Sequence, residues 1–255
     1  MLSTDGKLEP FDRTMDSKTT RAFLPPLVKT ASRTDVRTRF PLRKAQEINP
    51  RYATGAQWYG TLLCCTSRYE EGLAELNRAI RLDPLSLIVA RTYAHFLFFA
   101  GRYDDAIEEG RKILALHPNS GLGHQVLGIS WAAKGVHDKS ISELTEACRY
   151  GRSPNFLGSL GFAYGAAGRT KDALAVANEL QKFSPRPYPI AYWTAMIYAN
   201  LEESDEACSW LERAYTERGA QMVYLNIDRR FDKLRPDSRF ENMVRSINFN
   251  ASGTL

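Results

Sequence analysis

Apolar residues in this chain return every three or four positions, in blocks of about 14 residues, and the blocks come in pairs. From Ala53 the first pair reads ATGAQWYGTLLCCT and YEEGLAELNRAIRL, joined by SR and followed by DP. The second reads LIVARTYAHFLFFA and YDDAIEEGRKILAL, joined by GR and followed by HP. Each block has the spacing of an amphipathic helix, so each pair predicts a helical hairpin with a short turn. Five such units begin near Ala53, Leu87, Gly121, Pro154 and Tyr188, in steps of 34, 34, 33 and 34 residues. Pro50, Pro84, Pro118 and Pro185 stand at unit ends, with Arg152 and Gly219 in the equivalent places elsewhere. A period of this length marks an all-α solenoid, in which each unit buries its apolar face against the next.

Small residues hold fixed places in the repeat. The eighth position of each first helix is Gly60, Ala94, Gly128, Gly161 or Ala195, and the start of each second helix carries Gly72, Ala106, Ser140, Ala173 or Ala207. Two antiparallel helices cross closely only where a side chain of alanine size or less leaves room for the partner backbone. Around them Tyr59, Leu63, Leu76, Tyr93, Leu97, Leu127, Trp131, Leu144, Leu160, Tyr164 and Leu211 are expected to fill the seam. The turn inside units two to four carries Gly101, Gly135 and Gly168, which suits a positive φ past a helix end; Ser67 and Glu202 take that place in units one and five.

These positions resemble the tetratricopeptide repeat family. Tyr93, Ala94, Leu97, Gly101, Tyr103, Ala106 and Pro118 match its pattern best, with Leu127, Gly128, Trp131 and Gly135 in the next unit. The resemblance covers Ala53 to Gly219. It implies a right-handed superhelix of about five helix pairs whose first helices line a concave groove. Positions 2, 5, 9 and 12 of those helices would face the groove, namely Gln57, Thr61, Arg91, His95, Phe98, Gln125, Ile129, Asn155, Phe162, Tyr192 and Met196. A peptide or a helix could lie along such a strip, with aromatic anchors supplying most of the affinity. Gln57 and Thr61 stand where carboxylate-gripping co-chaperones of the family carry Lys and Asn, so that specific claim is rejected. The tail YLNIDRRFDKLRPDSRFENMVRSINF resembles the closing segment of arrays at the C-terminal ends of bacterial signalling proteins, with Arg229 and Ser238 where prolines usually stand.

The expected organisation follows. Residues 1–36 form a basic, disordered arm; residues 37–50 form a half repeat; the array runs over 53–86, 87–120, 121–153, 154–187 and 188–219; residues 220–255 cap its end. Phe231 to Ile247 are expected to cover the last helix pair, with Tyr224, Leu225 and Ile227 packing first in an extended piece.

Charge adds one feature. Residues 1–50 hold ten Lys or Arg against six Asp or Glu, a net of +4 within the whole chain's +5. Such an arm suits nucleic acid, anionic lipid or an acidic partner, or is simply a solvated leader. No apolar stretch is long enough for a membrane span, and the first 20 residues lack a secretory apolar core, so a cytoplasmic protein is expected. Cys64, Cys65, Cys148 and Cys208 form no metal or redox pattern, and His95, His117, His124 and His137 show no metal spacing. The glycines at 158, 161, 165 and 168 fall at helical positions with no preceding strand, which favours packing over a phosphate loop. No catalytic motif is found. The sequence therefore points to a non-catalytic scaffold for a peptide or protein partner, in bacterial signalling, with no cofactor and no metal. The alternative is a regulator whose basic arm contacts nucleic acid while the repeats bind an effector protein.

Overall fold

The computed structural model describes residues 51–183 and 190–247. The expected arm, the half repeat at 37–50, Pro185 and the start of unit five at Tyr188 lie outside the described residues. Five helix pairs follow one another: α1 (Ala53–Cys65) with α2 (Tyr69–Leu82), α3 (Leu87–Phe99) with α4 (Tyr103–Leu116), α5 (Gly121–Ala133) with α6 (His137–Arg149), α7 (Pro154–Ala166) with α8 (Thr170–Gln181), and α9 (Ile190–Asn200) with α10 (Ser204–Thr216). Two 3-10 turns, Ala220–Tyr224 and Arg229–Leu234, precede a last helix, α11 (Ser238–Ser246). No strand occurs among the described residues.

The helix starts are specified locally. Ser86, Ser120 and Ser153 cap α3, α5 and α7 by accepting a hydrogen bond from the backbone N–H three residues on. Three of the second helices, α2, α4 and α8, begin differently, on an arginine that bridges to an acid in the first turn: Arg68 to Glu71, Arg102 to Asp105 and Arg169 to Asp172; Val136 and Glu203 precede α6 and α10. The turns between paired helices share one backbone conformation, with φ of 79°, 74° and 70° at Gly101, Gly135 and Gly168. Ser67 and Glu202 adopt it too, at φ 61° and 64°.

Packing between units is asymmetric. Each first helix touches the first helix before and after it, as well as both neighbouring second helices. The first helices therefore lie on the short inner arc of the array. Their burial agrees: α7 and α9 are enclosed on nearly all sides, whereas α2, α4 and α6 bury one face each. Small residues make this possible, though not always against the helix expected. A Cβ at Gly60 would lie 2.8 Å from the carbonyl oxygen of Gly72 within its own unit, as the crossing argument requires. On α7 the glycines face the next unit instead. A Cβ at Gly158 would lie 2.8 Å from Trp193 Cβ, one at Gly161 would strike Ile197, and one at Gly165 would lie 3.0 Å from Asn200 Cβ. The glycine row is a landing strip for α9, which is the packing role the sequence favoured.

Candidate functional site

The inner arc is the natural place to look for a site, because successive first helices present their side chains there together. Of the expected groove residues, Phe98, Gln125, Ile129, Tyr192 and Met196 are fully enclosed, and Thr61, His95 and Phe162 nearly so. Gln57, Arg91 and Asn155 keep part of their surface in solvent. Several of these residues bond across units. Gln57 Nε2 donates to Thr92 Oγ1 at 2.9 Å. Gln125 Nε2 donates to Asn155 Oδ1 at 2.8 Å and to Ser159 Oγ at 2.9 Å, while Asn155 Nδ2 donates back to Gln125 Oε1 at 3.1 Å. This reciprocal pair fixes the register between units three and four.

The expected aromatic strip is not an open surface, because the chain covers part of it with its own C-terminal segment. After α10 the backbone turns at Gly219 and passes back through residues 220–235 as a strap. Tyr224 packs on Phe96 and Phe99 of α3, with ring centroids 6.1 and 5.8 Å away. Phe231 meets Tyr192 at 5.2 Å, and Met222, Leu225, Ile227 and Leu234 are buried as well. Polar anchors fix the strap at both sides of the array. Asn200 Nδ2 donates to the Arg230 carbonyl at 2.7 Å, and Lys233 pairs with Glu202 at 2.8 Å. Across the arc, Arg229 Nε donates to the carbonyl of Phe99 at 3.0 Å, 130 residues away in sequence. The strap thus joins unit five to unit two. Its backbone forms short 3-10 turns where an extended piece was expected, since Asp228 caps the second turn by accepting from Arg230 N at 3.0 Å. α11 follows with Phe240 buried, and its Arg239 bonds Asp205 of α10 at 2.8 Å.

Charge is concentrated under the strap. Asp228 is wholly buried and accepts from Tyr192 Oη at 2.7 Å and from Arg230 Nε and Nη2 at 2.8 and 2.6 Å. The Arg230 guanidinium lies over the Trp193 ring, 5.3 Å from its centroid. Arg91 and His95, one turn apart on α3, complete the group. Burial, together with the Arg91 and Arg230 charges, holds the His95 imidazole well below its usual range. Burial also pushes the Cys64 thiol up to about 12 and the Cys148 thiol to about 11, as befits fillers and not nucleophiles.

Residues 66–121 match the model of the tetratricopeptide repeat. Among the described residues the same helix-pair architecture continues as far as α10. The fold is a tetratricopeptide-repeat solenoid. A thermophilic tetratricopeptide repeat protein from Thermus thermophilus is 21% identical and superposes with a TM-score of 0.54, over 76% of this chain and 99% of that one. A tetratricopeptide repeat protein from Parabacteroides merdae is 13% identical, with a TM-score of 0.62 over 92% and 87% of the two chains. Pseudomonas aeruginosa pilF is 16% identical, with a TM-score of 0.51 over 86% and 98%. At such identities the likeness is one of fold. No curated protein sequence matches the chain.

Beyond the inner arc, this tetratricopeptide-repeat array carries little that suggests chemistry. Among the described residues no three His, Cys, Asp or Glu side chains come together as a metal site, and no helix is long and apolar enough to cross a membrane. An open cleft of about 640 Å³ lies between α6 and α8, beside Cys148, Arg152 and Tyr164. Its main cation, Arg152, is already bound to Glu179 at 2.6 Å. Repeat periodicity did not single out Asp228 and Arg230 of the strap, because they belong to no repeat; Tyr224 was expected to pack and does. One signal was present: the acid and two arginines Asp228-Arg229-Arg230 directly follow the largely apolar run MVYLNI.

Proposed function

We propose that this chain is a non-catalytic protein-interaction scaffold whose partner docks on the concave side of the array, in a bacterial signalling pathway. A tetratricopeptide fold suggests such a scaffold. The observation that carries the reading is the strap itself. The inner arc grips a segment outside the repeats with aromatic anchors, side-chain-to-main-chain hydrogen bonds and the Tyr192 hydroxyl, which donates to the buried Asp228 carboxylate; this is the chemistry of peptide recognition in a groove. With the strap in place, the partner reads the partly exposed Gln57, Arg91 and Asn155 together with the strap's outward side chains. Arg229, Lys233 and Arg235 among these already pair with Asp232 and Glu202, so Arg91, on which no acidic side chain acts, is the cation that favours an acidic group on the partner. The tail phrase around RFDKLRPDSRF supports the signalling context through its resemblance to closing segments of bacterial signalling arrays.

The reading is tested by affinity capture from a bacterial lysate, with the intact chain beside Arg91→Glu. Circular dichroism first establishes that the variant is still helical. Partners held by the intact chain and lost by the variant support docking on the concave side. An unchanged set of partners contradicts it.

A further inference from the structure

We propose that Arg91, His95 and Arg230 form a binding site for an oxyanion, a carboxylate or phosphate group, at the edge of the strap. The inference goes beyond the scaffold reading and needs no protein partner. Three observations combine. The first is an imbalance of charge: two buried-edge guanidiniums face one carboxylate. Both oxygens of Asp228 are taken by Arg230 and Tyr192, and no acidic side chain acts on Arg91 among the groups that perturb it. The second is a set of unpaired polar atoms. Arg91 Nε, both ring nitrogens of His95 and the remaining Arg230 nitrogen, Nη1, are buried with no hydrogen-bond partner among the described residues. His95 and Arg230 are themselves more than nine-tenths buried, at 7% and 3% exposed.

The third observation is placement. Arg91 and His95 sit one turn apart on the same face of α3, and the charges of Arg91 and Arg230 both act on the His95 ring. Arg91 keeps part of its surface in solvent, which places the cluster at the edge of the strap, within reach of an anion that meets Arg91 first. Burying donors around an uncompensated guanidinium is costly. Water could satisfy their hydrogen bonds but would leave the charge unbalanced. An oxyanion supplies both, since a carboxylate or phosphate accepts in parallel from an Arg fork and from a neutral imidazole N–H.

The test uses the full chain with inorganic phosphate and, separately, acetate as probes, at constant ionic strength. Calorimetric titration is read alongside the ring resonances of His95, which are assigned by their loss in His95→Gln. Saturable binding that moves the His95 resonances is expected, and the probe that does so identifies the anion as phosphate or carboxylate. Arg91→Gln is expected to weaken it by about tenfold or more, while Arg111→Gln on the outer face leaves it unchanged. Neither probe moving His95, or equal affinity in Arg91→Gln, overturns the site. Should Arg91→Gln fail to fold, the His95 resonances of the natural chain decide alone. Loss of this site leaves the partner-capture result standing, and the converse holds too, so the two readings fail separately.

Discussion

Ser67 shows what a single residue contributes to the repeat. It occupies the turn conformation that Gly101, Gly135 and Gly168 fill elsewhere, at φ 61°, where a side chain strains the backbone. Ser67→Gly is expected to stabilise the array by about 0.5–1 kcal/mol, because relief of strain outweighs the greater freedom of unfolded glycine. Urea unfolding measures the difference. Glu202 shares the conformation but also pairs with Lys233 of the strap, so the same change there forfeits a contact. The opposite effect is expected at Gly161, where any Cβ strikes Ile197 of the next unit. Gly161→Val should cost about 2 kcal/mol or more by overpacking. His95 gives a prediction in pH. Its folded pKa is depressed below the usual 6.5, so its contribution is present above that value and is lost as the pH falls below it. Stability should therefore drop more steeply between pH 6.5 and pH 5 in the natural chain than in His95→Gln, by up to about 1.4 kcal/mol per pH unit. Parallel curves for the two chains would contradict the burial of a neutral imidazole.

At the scale of elements, the sequence and the structure part company in an instructive way. Helix pairs were legible because periodicity is local: apolar spacing, turn glycines and small crossing residues recur at fixed offsets and mean the same thing in each unit. The strap was not legible as a strap. Its contacts join residues up to 130 apart, such as Arg229 and the Phe99 carbonyl, and no offset within the repeat encodes them. For the same reason Tyr192 was expected on a groove but is enclosed beneath Phe231 and Asp228: spacing reports which face a residue takes, not what comes to lie over that face. The ion pair of Asp228 and Arg230 is the strap's polar core, and a buried pair is most sensitive to losing one partner. Arg230→Met should cost about 3–5 kcal/mol, because it leaves the Asp228 carboxylate buried with Tyr192 as its remaining side-chain partner. Adding Asp228→Asn should recover part of that loss. A double-mutant cycle by urea unfolding checks both, and strictly additive costs would contradict a coupled pair.

For the whole molecule, the strap changes the physical character of the array. A solenoid whose units touch only their neighbours opens piecemeal from its ends. Here a segment following unit five is bonded to unit two, and its apolar side chains share one core cluster with residues from all five units. Closure of this kind couples unit five to unit two across the concave side. Hydrogen exchange of the intact chain, followed peptide by peptide, tests this most directly. Amides of residues 220–235 are expected to exchange as slowly as those of α3 and α9, and Arg229→Ala is expected to speed exchange in both the strap and the C-terminal end of α3. Exchange of the strap at free-peptide rates in the intact chain, with α3 indifferent to Arg229, would contradict it.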